Sequence, residues 1–247
     1  MKILHLDIET APHKVYAWGL WGQDINIKNI IEPGYTLCWA AKWEDKGKMM
    51  FESIHHSTHK KMIETIYELI NEADAVCHYN GTKFDMPILN QEFIKYKFDP
   101  PDSYQEIDLL RTVRRRFRFP SNKLDYVAGQ FDLGTKTKHM GMELWHQCMA
   151  NDKKAWKIMA KYNKQDVNLL QKVYRHLLPW IQHHPNHALH WDESKVKICR
   201  NCGNMKMKKN GFYYASTQVY QRWKCTICGW SGKERTRFKR AHEGVLS

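Results

Sequence analysis

Two cysteine pairs near the end of this 247-residue chain, Cys199-x-x-Cys202 and Cys225-x-x-Cys228, constrain its folding most. Twenty-two residues separate the pairs, and a glycine, Gly203 or Gly229, follows each. Four thiolates at this spacing suit one closed tetrahedral Zn²⁺. The glycines accommodate the positive φ of a backbone wrapping a metal. The segment from 191 onward has few aliphatic residues, so the metal is expected to supply much of its folding energy. Cys38, Cys77 and Cys148 stand alone and are expected to be buried, inert thiols. Seven cysteines is an odd number, which argues against a secreted disulfide framework and for a reducing cytoplasm.

Charge divides the chain in the same place. Residues 191–247 hold 13 Lys and Arg against 4 acids, whereas residues 1–190 hold 26 against 22. That asymmetry suggests a basic appendage for a polyanion, although solubility alone is the plainer reading. Mean hydropathy is −0.67. No window approaches the ~20 apolar residues of a membrane span, and acids at positions 7 and 9 argue against a signal peptide. A soluble, cytoplasmic protein with no membrane partner is expected.

The body reads as alternating strands and helices. Residues 2–9 alternate, with Leu4, Leu6 and Ile8 on one face and His5, Asp7 and Glu9 on the other. Further strands are expected at 35–43, 48–54, 75–79 and 104–110. Helices are expected at 58–72, from Asp85 to about Tyr96, and at 108–117, 121–131 and 152–178. This order predicts an α/β domain with a mixed five-stranded sheet over residues 1–180. A His- and Pro-containing linker at 181–195, a metal module at 196–232 and a flexible basic tail at 233–247 follow. Four His in the linker could bind metal, but a polar linker is the plainer reading.

Asp7 and Glu9 leave the same strand face, converging two hard oxygen ligands as Mg²⁺ or Mn²⁺ requires. Asp85 follows Asn80-Gly81-Thr82-Lys83-Phe84 at a helix start, where a carboxylate is also a plain cap. Tyr162 and Asp166, i and i+4 on the long helix, share a face beside Ile158, Leu169, Val173 and Leu177. Alone, that pair reads more readily as a helix-surface hydrogen bond than as chemistry.

Taken in order, Asp7-Ile8-Glu9, Asn80-x-x-x-Phe84-Asp85-x-x-x-Leu89 and Tyr162-x-x-x-Asp166 resemble the three motifs of the DnaQ-like (DEDD) 3′–5′ exonuclease superfamily. The tyrosine four positions before the last Asp resembles the DEDDy subtype. Residues 10–35 and 106–150, with Ser121-Asn122-Lys123-Leu124-Asp125 and Leu144-Trp145, resemble a phage-borne subgroup. The resemblance implies a ribonuclease H-like fold and two catalytic divalent cations, Mg²⁺ or Mn²⁺. It implies Asp7 bridging the metals, Glu9 and Asp166 on the first, and Asp85 placing the second. Tyrosine, with an ordinary pKa of about 10, is a poor base at neutral pH, so Tyr162 is expected to orient the attacking water. Asn80 and Phe84 are further expected substrate contacts. Asp108 is expected to support the pocket.

Arg111, Arg114, Arg115 and Arg118 are expected on one helix face opposite Leu110, Val113 and Phe117, touching either substrate or only water. The cysteine module resembles a zinc ribbon. Between its knuckles Tyr213, Tyr214, Tyr220, Arg222, Trp223 and Lys224 mix aromatic and basic groups along expected hairpin strands, which suits single-stranded nucleic acid. The plainer reading packs Trp223 over the zinc site. The function implied is hydrolysis of DNA, or of RNA, from a 3′ end, releasing nucleoside monophosphates. A replication or repair partner protein would be needed for proofreading. A catalytically silent nucleic-acid adaptor and an endonuclease on the same fold are the alternatives.

Overall fold

The computed structural model describes residues 1–134, 141–191 and 196–240. Contacts divide the chain into two compact units, Lys2–Val173 on one side and Met1 with Tyr174–Ser247 on the other.

The first unit is built on a mixed sheet of five strands. These are β1 (Ile3–Thr10), β4 (Thr36–Trp43), β5 (Met49–Ser53), β6 (Ala75–His78) and β7 (Gln105–Asp108), in the spatial order β5-β4-β1-β6-β7. Two short strands, β2 (Lys14–Val15) and β3 (Ile30–Glu32), form a separate hairpin between β1 and β4. β1 pairs antiparallel with β4, and β6 runs parallel to both β1 and β7. Helices α1 (His59–Glu72) and α2 (Asp85–Lys95) follow β5 and β6. After β7 come α3 (Leu109–Arg116), α4 (Leu124–Gln130), α5 (Met142–Met149) and α6 (Lys153–Leu177).

The expected strands and helices appear within a few residues of their predicted bounds, and α5 is an addition. Period-2 alternation explains the layering. Leu4, Leu6 and Ile8 of β1, with Trp39, Ala41 and Trp43 of β4, pack on Met62, Ile66 and Ile70 of α1 and Leu89 and Phe93 of α2. On the other face, Cys38 meets Leu144 and Cys148 of α5 and Ala155, Trp156, Met159 and Tyr162 of α6, and Leu37 joins this cluster where the register shifts opposite Glu9 and Thr10. Each fully buried Leu or Ile contributes roughly 1.5–3 kcal/mol. This is the expected mixed five-stranded sheet flanked by helices.

Three local expectations are corrected. Ile158 is 39% exposed, whereas Leu169, Val173 and Leu177, expected beside it, are buried along with Trp156, Met159, Val167 and Leu170. Leu169 lies eleven residues on, within about 20° of Ile158 around the helix, so helical spacing alone does not decide which of the two is covered. Arg118 lies beyond the end of α3, whose C-cap is Phe117, so it shares no helical face with the other arginines. The tail at 233–240 is not free. Lys233 closes β10 (Ser231–Lys233) and Lys239 opens β11 (Lys239–Arg240), both paired with β9 (Gln218–Cys225). Phe238 supplies the reason, its ring centroid lying 4.8 Å from that of Phe212. The rest of the tail, 241–247, lies outside the described residues.

The second unit is a small sheet in which β9 pairs with β8 (Met207–Tyr214), β10 and β11. Within it, the segment expected as a linker carries buried groups. His184 is 1% exposed and shares a 2.8 Å hydrogen bond with the Tyr174 hydroxyl. The Arg200 guanidinium donates to the His184 carbonyl at 2.9 Å. Asn201 donates to the Leu178 and Ile181 carbonyls. Residues 192–195 of that segment lie outside the described residues.

Candidate active site and metal centres

The site grows from the point where two parallel strands part. β6 pairs with β1 only at Ile3, Leu4 and His5, and ends at His78. Asn80 then takes a positive φ of 72° and turns the chain toward α2. Gly81 is required there, since a Cβ would lie 2.3 Å from the His78 ring. The turn delivers Asp85, the first residue of α2, back to β1. Its Oδ1 accepts the Ile8 N–H at 3.1 Å, between Asp7 and Glu9, continuing the β1 ladder where β6 no longer can. Asp85 is therefore more than a cap of its own helix, and it is buried. Burial pushes its carboxyl up to about 6, although His78 and the Ile8 N–H pull it back.

Asp108 caps α3 by accepting from Leu110 N, and the same oxygen accepts from Asn80 N, both at 3.0 Å. It holds the turn in place, in line with the supporting role expected. Phe84, at the N-cap of α2, is 45% exposed.

From the opposite side of the sheet α6 presents Tyr162, Asn163 and Asp166, all buried. Trp145 of α5 meets the Tyr162 ring edge-on, with centroids 6.2 Å apart. Asp7, Glu9 and Asp166 offer carboxylate oxygens that all lie within 4.8 Å of one another. Two unit charges at that separation repel by about 3 kcal/mol at an effective dielectric near 20. Hard oxygens converging in this way fit Mg²⁺ or Mn²⁺. Asp85 lies next to this group without belonging to it.

Asn163 was not singled out from the sequence. It is fully buried, and its Nδ2 donates to Asp7 Oδ2 at 2.6 Å and to the Asp7 carbonyl at 3.3 Å. Its other side faces the Cys38 thiol, which donates to Oδ1 at 3.9 Å. Its place one residue after Tyr162 and three before Asp166 was the available sequence signal.

The family model RNase_H_2, of the RNase H superfamily, matches residues 4–178. The chain belongs to the RNase H superfamily. Among solved structures, it is similar to the family B DNA polymerase from the hyperthermophilic archaeon Pyrobaculum calidifontis. The identity is 17% and the TM-score 0.54, over 72% of this chain and 24% of the polymerase. The chain thus spans about a quarter of that protein, and the likeness is one of fold. No curated protein matches the sequence.

In this RNase H-superfamily domain a cleft of about 650 Å³ opens beside Asp7. Asn80, Arg114, Asn122 and Lys123 line it. Tyr79 fixes its far wall by donating its hydroxyl to the Asn122 carbonyl at 2.6 Å. Of the arginines expected near substrate, Arg114 lines the cleft, whereas Arg111 and Arg115 are exposed and lie outside its lining. The Glu106 carboxyl is held down chiefly by its hydrogen bond with His78, to which Thr82 and then Arg111 add smaller contributions.

The four cysteines come together in the second unit. The Sγ atoms of Cys199, Cys202, Cys225 and Cys228 all lie within 4.8 Å of one another. Cys199 and Cys228 are 3.6 Å apart, and Cys202 and Cys225 are 3.7 Å apart. A tetrahedron with Zn–S of ~2.3 Å has edges of about 3.8 Å, so the set fits Zn²⁺. Gly203 and Gly229 take φ of 70° and 80°, as the knuckle reading requires. The N–H of each donates back to the first cysteine of its pair.

Tyr220, Arg222 and Lys224 share one face of β9, as alternate residues do. Trp223 is on the other face. Its Nε1 donates to Glu234 Oε1 at 3.0 Å, and Lys197 pairs with the same oxygen at 2.9 Å. Trp223 is therefore half-buried and hydrogen-bonded on that face, set apart from the other three. No helix among the described residues is long and apolar enough to cross a membrane.

Proposed function

We propose that this chain is a two-metal-dependent 3′–5′ exonuclease of the DEDDy type. It hydrolyses phosphodiester bonds of single-stranded DNA, with RNA as a further substrate, and carries a zinc ribbon. One observation carries the reading: carboxylates from two distant segments, Asp7 and Glu9 on β1 and Asp166 on α6, converge within 4.8 Å. Such convergence is electrostatically costly without cations. Membership of the RNase H superfamily supports nucleic-acid cleavage in general.

Asp7, Glu9 and Asp166 would hold one cation, with Asp85 beside Ile8 helping to place a second. Bound divalent cations would stabilise the attacking and leaving oxygens of an in-line phosphoryl displacement. Tyr162, buried against Trp145, orients the attacking water by hydrogen bonding. Arg114 and Lys123 neutralise phosphates of the strand in the cleft, and Asn80 and Phe84 contact the terminal nucleotide. Cys199, Cys202, Cys225 and Cys228 hold one structural Zn²⁺.

Linear and circular single-stranded DNA separate this reading from its alternatives. With Mg²⁺ or Mn²⁺ the linear strand is degraded and the circle persists. Cutting of the circle supports an endonuclease, and binding without hydrolysis of either supports a silent adaptor.

A further inference from the structure

The strand register of the second unit sorts its charges by face. In β9, Tyr220, Arg222 and Lys224 point one way and Trp223 and Cys225 the other. Cross-strand partners share a face. Lys208 of β8 is opposite Lys224, and Tyr213 is opposite Tyr220. Lys233 of β10 is opposite Arg222, and Arg240 of β11 is opposite Gln218. One face therefore collects Lys208, Arg222, Lys224, Lys233 and Arg240 with two tyrosines.

Among the described residues 196–240, Glu234 is the only carboxylate. It is engaged with Trp223 and Lys197 on the opposite side. The cationic face thus has no internal counter-charge. It also contains two like-charge pairs directly across strands, Lys208 with Lys224 and Arg222 with Lys233, an arrangement that destabilises a sheet on its own. Two of the cations are nevertheless held in place. Arg222 Nε donates to the Asn210 carbonyl at 2.7 Å. Lys233 Nζ sits 4.3 Å and 4.1 Å from the Tyr213 and Tyr220 ring centroids. Alternate residues on a strand are about 6.7 Å apart, so along β9 the face carries a row with Lys208 and Lys224, a row with Arg222 and Lys233, the tyrosine row, and then Arg240.

We propose that this face is a binding site for the backbone of single-stranded nucleic acid. The cations meet successive phosphates, and the exposed edges of Tyr213 and Tyr220 meet bases. A flexible strand can follow a flat stripe, whereas a duplex presents its phosphates on a curved surface. The inference deepens the function proposed above and shares with it only the ligand class, so binding here does not depend on hydrolysis elsewhere.

The test uses the full chain as its Asp7→Ala variant, which removes hydrolysis, and a fluorescent oligothymidylate. Each cation engaged with single-stranded phosphate adds about 0.7 to the slope of log K against log salt. Lys208→Gln/Lys224→Gln/Lys233→Gln should therefore make that slope shallower by about 2. Lys209→Gln/Lys239→Gln changes as many exposed charges less one, on the opposite face, and should leave the slope unchanged. Zinc content establishes that the triple variant is folded. If it is not, Lys224→Gln alone should lower the slope by about 0.7. An unchanged slope in the cationic-face variants overturns the proposal. So does an equal fall in the opposite-face control, or equal displacement of the oligonucleotide by polyglutamate or by duplex of the same sequence. If circular and linear DNA both survive the wild-type protein while the slope still responds, hydrolysis fails and the ribbon site stands.

Discussion

Replacing Asn163 by alanine removes a side-chain donor to Asp7 Oδ2, at 2.6 Å, together with a weaker 3.3 Å bond to the Asp7 carbonyl. Hydrogen bonds to a charged group contribute about 1.5–3 kcal/mol. The Asp7 carboxylate lies within 4.8 Å of two others, and each such pair repels by about 3 kcal/mol. Without the amide, that repulsion acts on Asp7 with one restraint fewer, and the geometry that cations need is held less firmly. At 1.4 kcal/mol per tenfold, the loss corresponds to roughly 10- to 100-fold in kcat/KM at limiting metal. The assay is hydrolysis of a labelled strand across a Mn²⁺ titration. Asn163→Ala should shift the activating concentration upward and recover part of its rate when metal is saturating. Cys38→Ala, which empties the other side of the amide, should lower the melting temperature without moving the metal midpoint. If Asn163→Ala melts earlier but keeps the wild-type rate and metal midpoint, Asn163 is packing only and the positioning argument is wrong.

Other consequences can be checked as directly. Mn²⁺ or Mg²⁺ should raise the melting temperature of the wild type by relieving carboxylate repulsion, and Asp7→Asn should remove most of that gain. Tyr162→Phe should slow hydrolysis about 10- to 100-fold with little change in KM; full activity would remove Tyr162 from water orientation. Stripping zinc with a strong chelator should release one equivalent of Zn²⁺ and unfold the ribbon, leaving the circular dichroism of the larger unit intact. Burial lowers the His184 pKa from 6.5 to about 4. Its neutral form is therefore the folded one, and its share of stability is complete above pH 6.5 and lost as pH falls toward 4. That share is at most about 3 kcal/mol. His184→Gln, measured against wild type by denaturant titration at several pH values, should flatten the stability profile in that window.

What was legible in the sequence was local. Alternation at Leu4, Leu6 and Ile8 marks β1, and helical spacing from Met62 to Ile70 marks α1, because each pattern repeats within one element. The three carboxylate motifs and the cysteine knuckles were legible for the same reason, each being a short run with its own spacing. The partnership of Asn163 with Asp7 was not, since the two are 156 residues apart and meet only when α6 covers the sheet. The short helix α5 was hidden because few of its eight residues are buried. Choosing Arg114 over Arg111 and Arg115 needed the position of the cleft, which the helical repeat does not give. Separating Trp223 from Lys224 needed only alternation. Grouping Lys208 and Lys233 with Lys224 needed a register that includes a bulge between Lys209 and Phe212.

The central claim is that the Asp7–Glu9–Asp166 centre, with Asp85, removes nucleotides from a 3′ end. Product analysis tests it most directly, using 5′-labelled single-stranded DNA and RNA with Mg²⁺ or Mn²⁺, and Asp7→Ala in parallel. The account predicts a ladder of labelled strands shortening one nucleotide at a time, nucleoside monophosphates as the released product, and no ladder from Asp7→Ala. Immediate release of a labelled 5′ mononucleotide, or an undiminished ladder from Asp7→Ala, would contradict it.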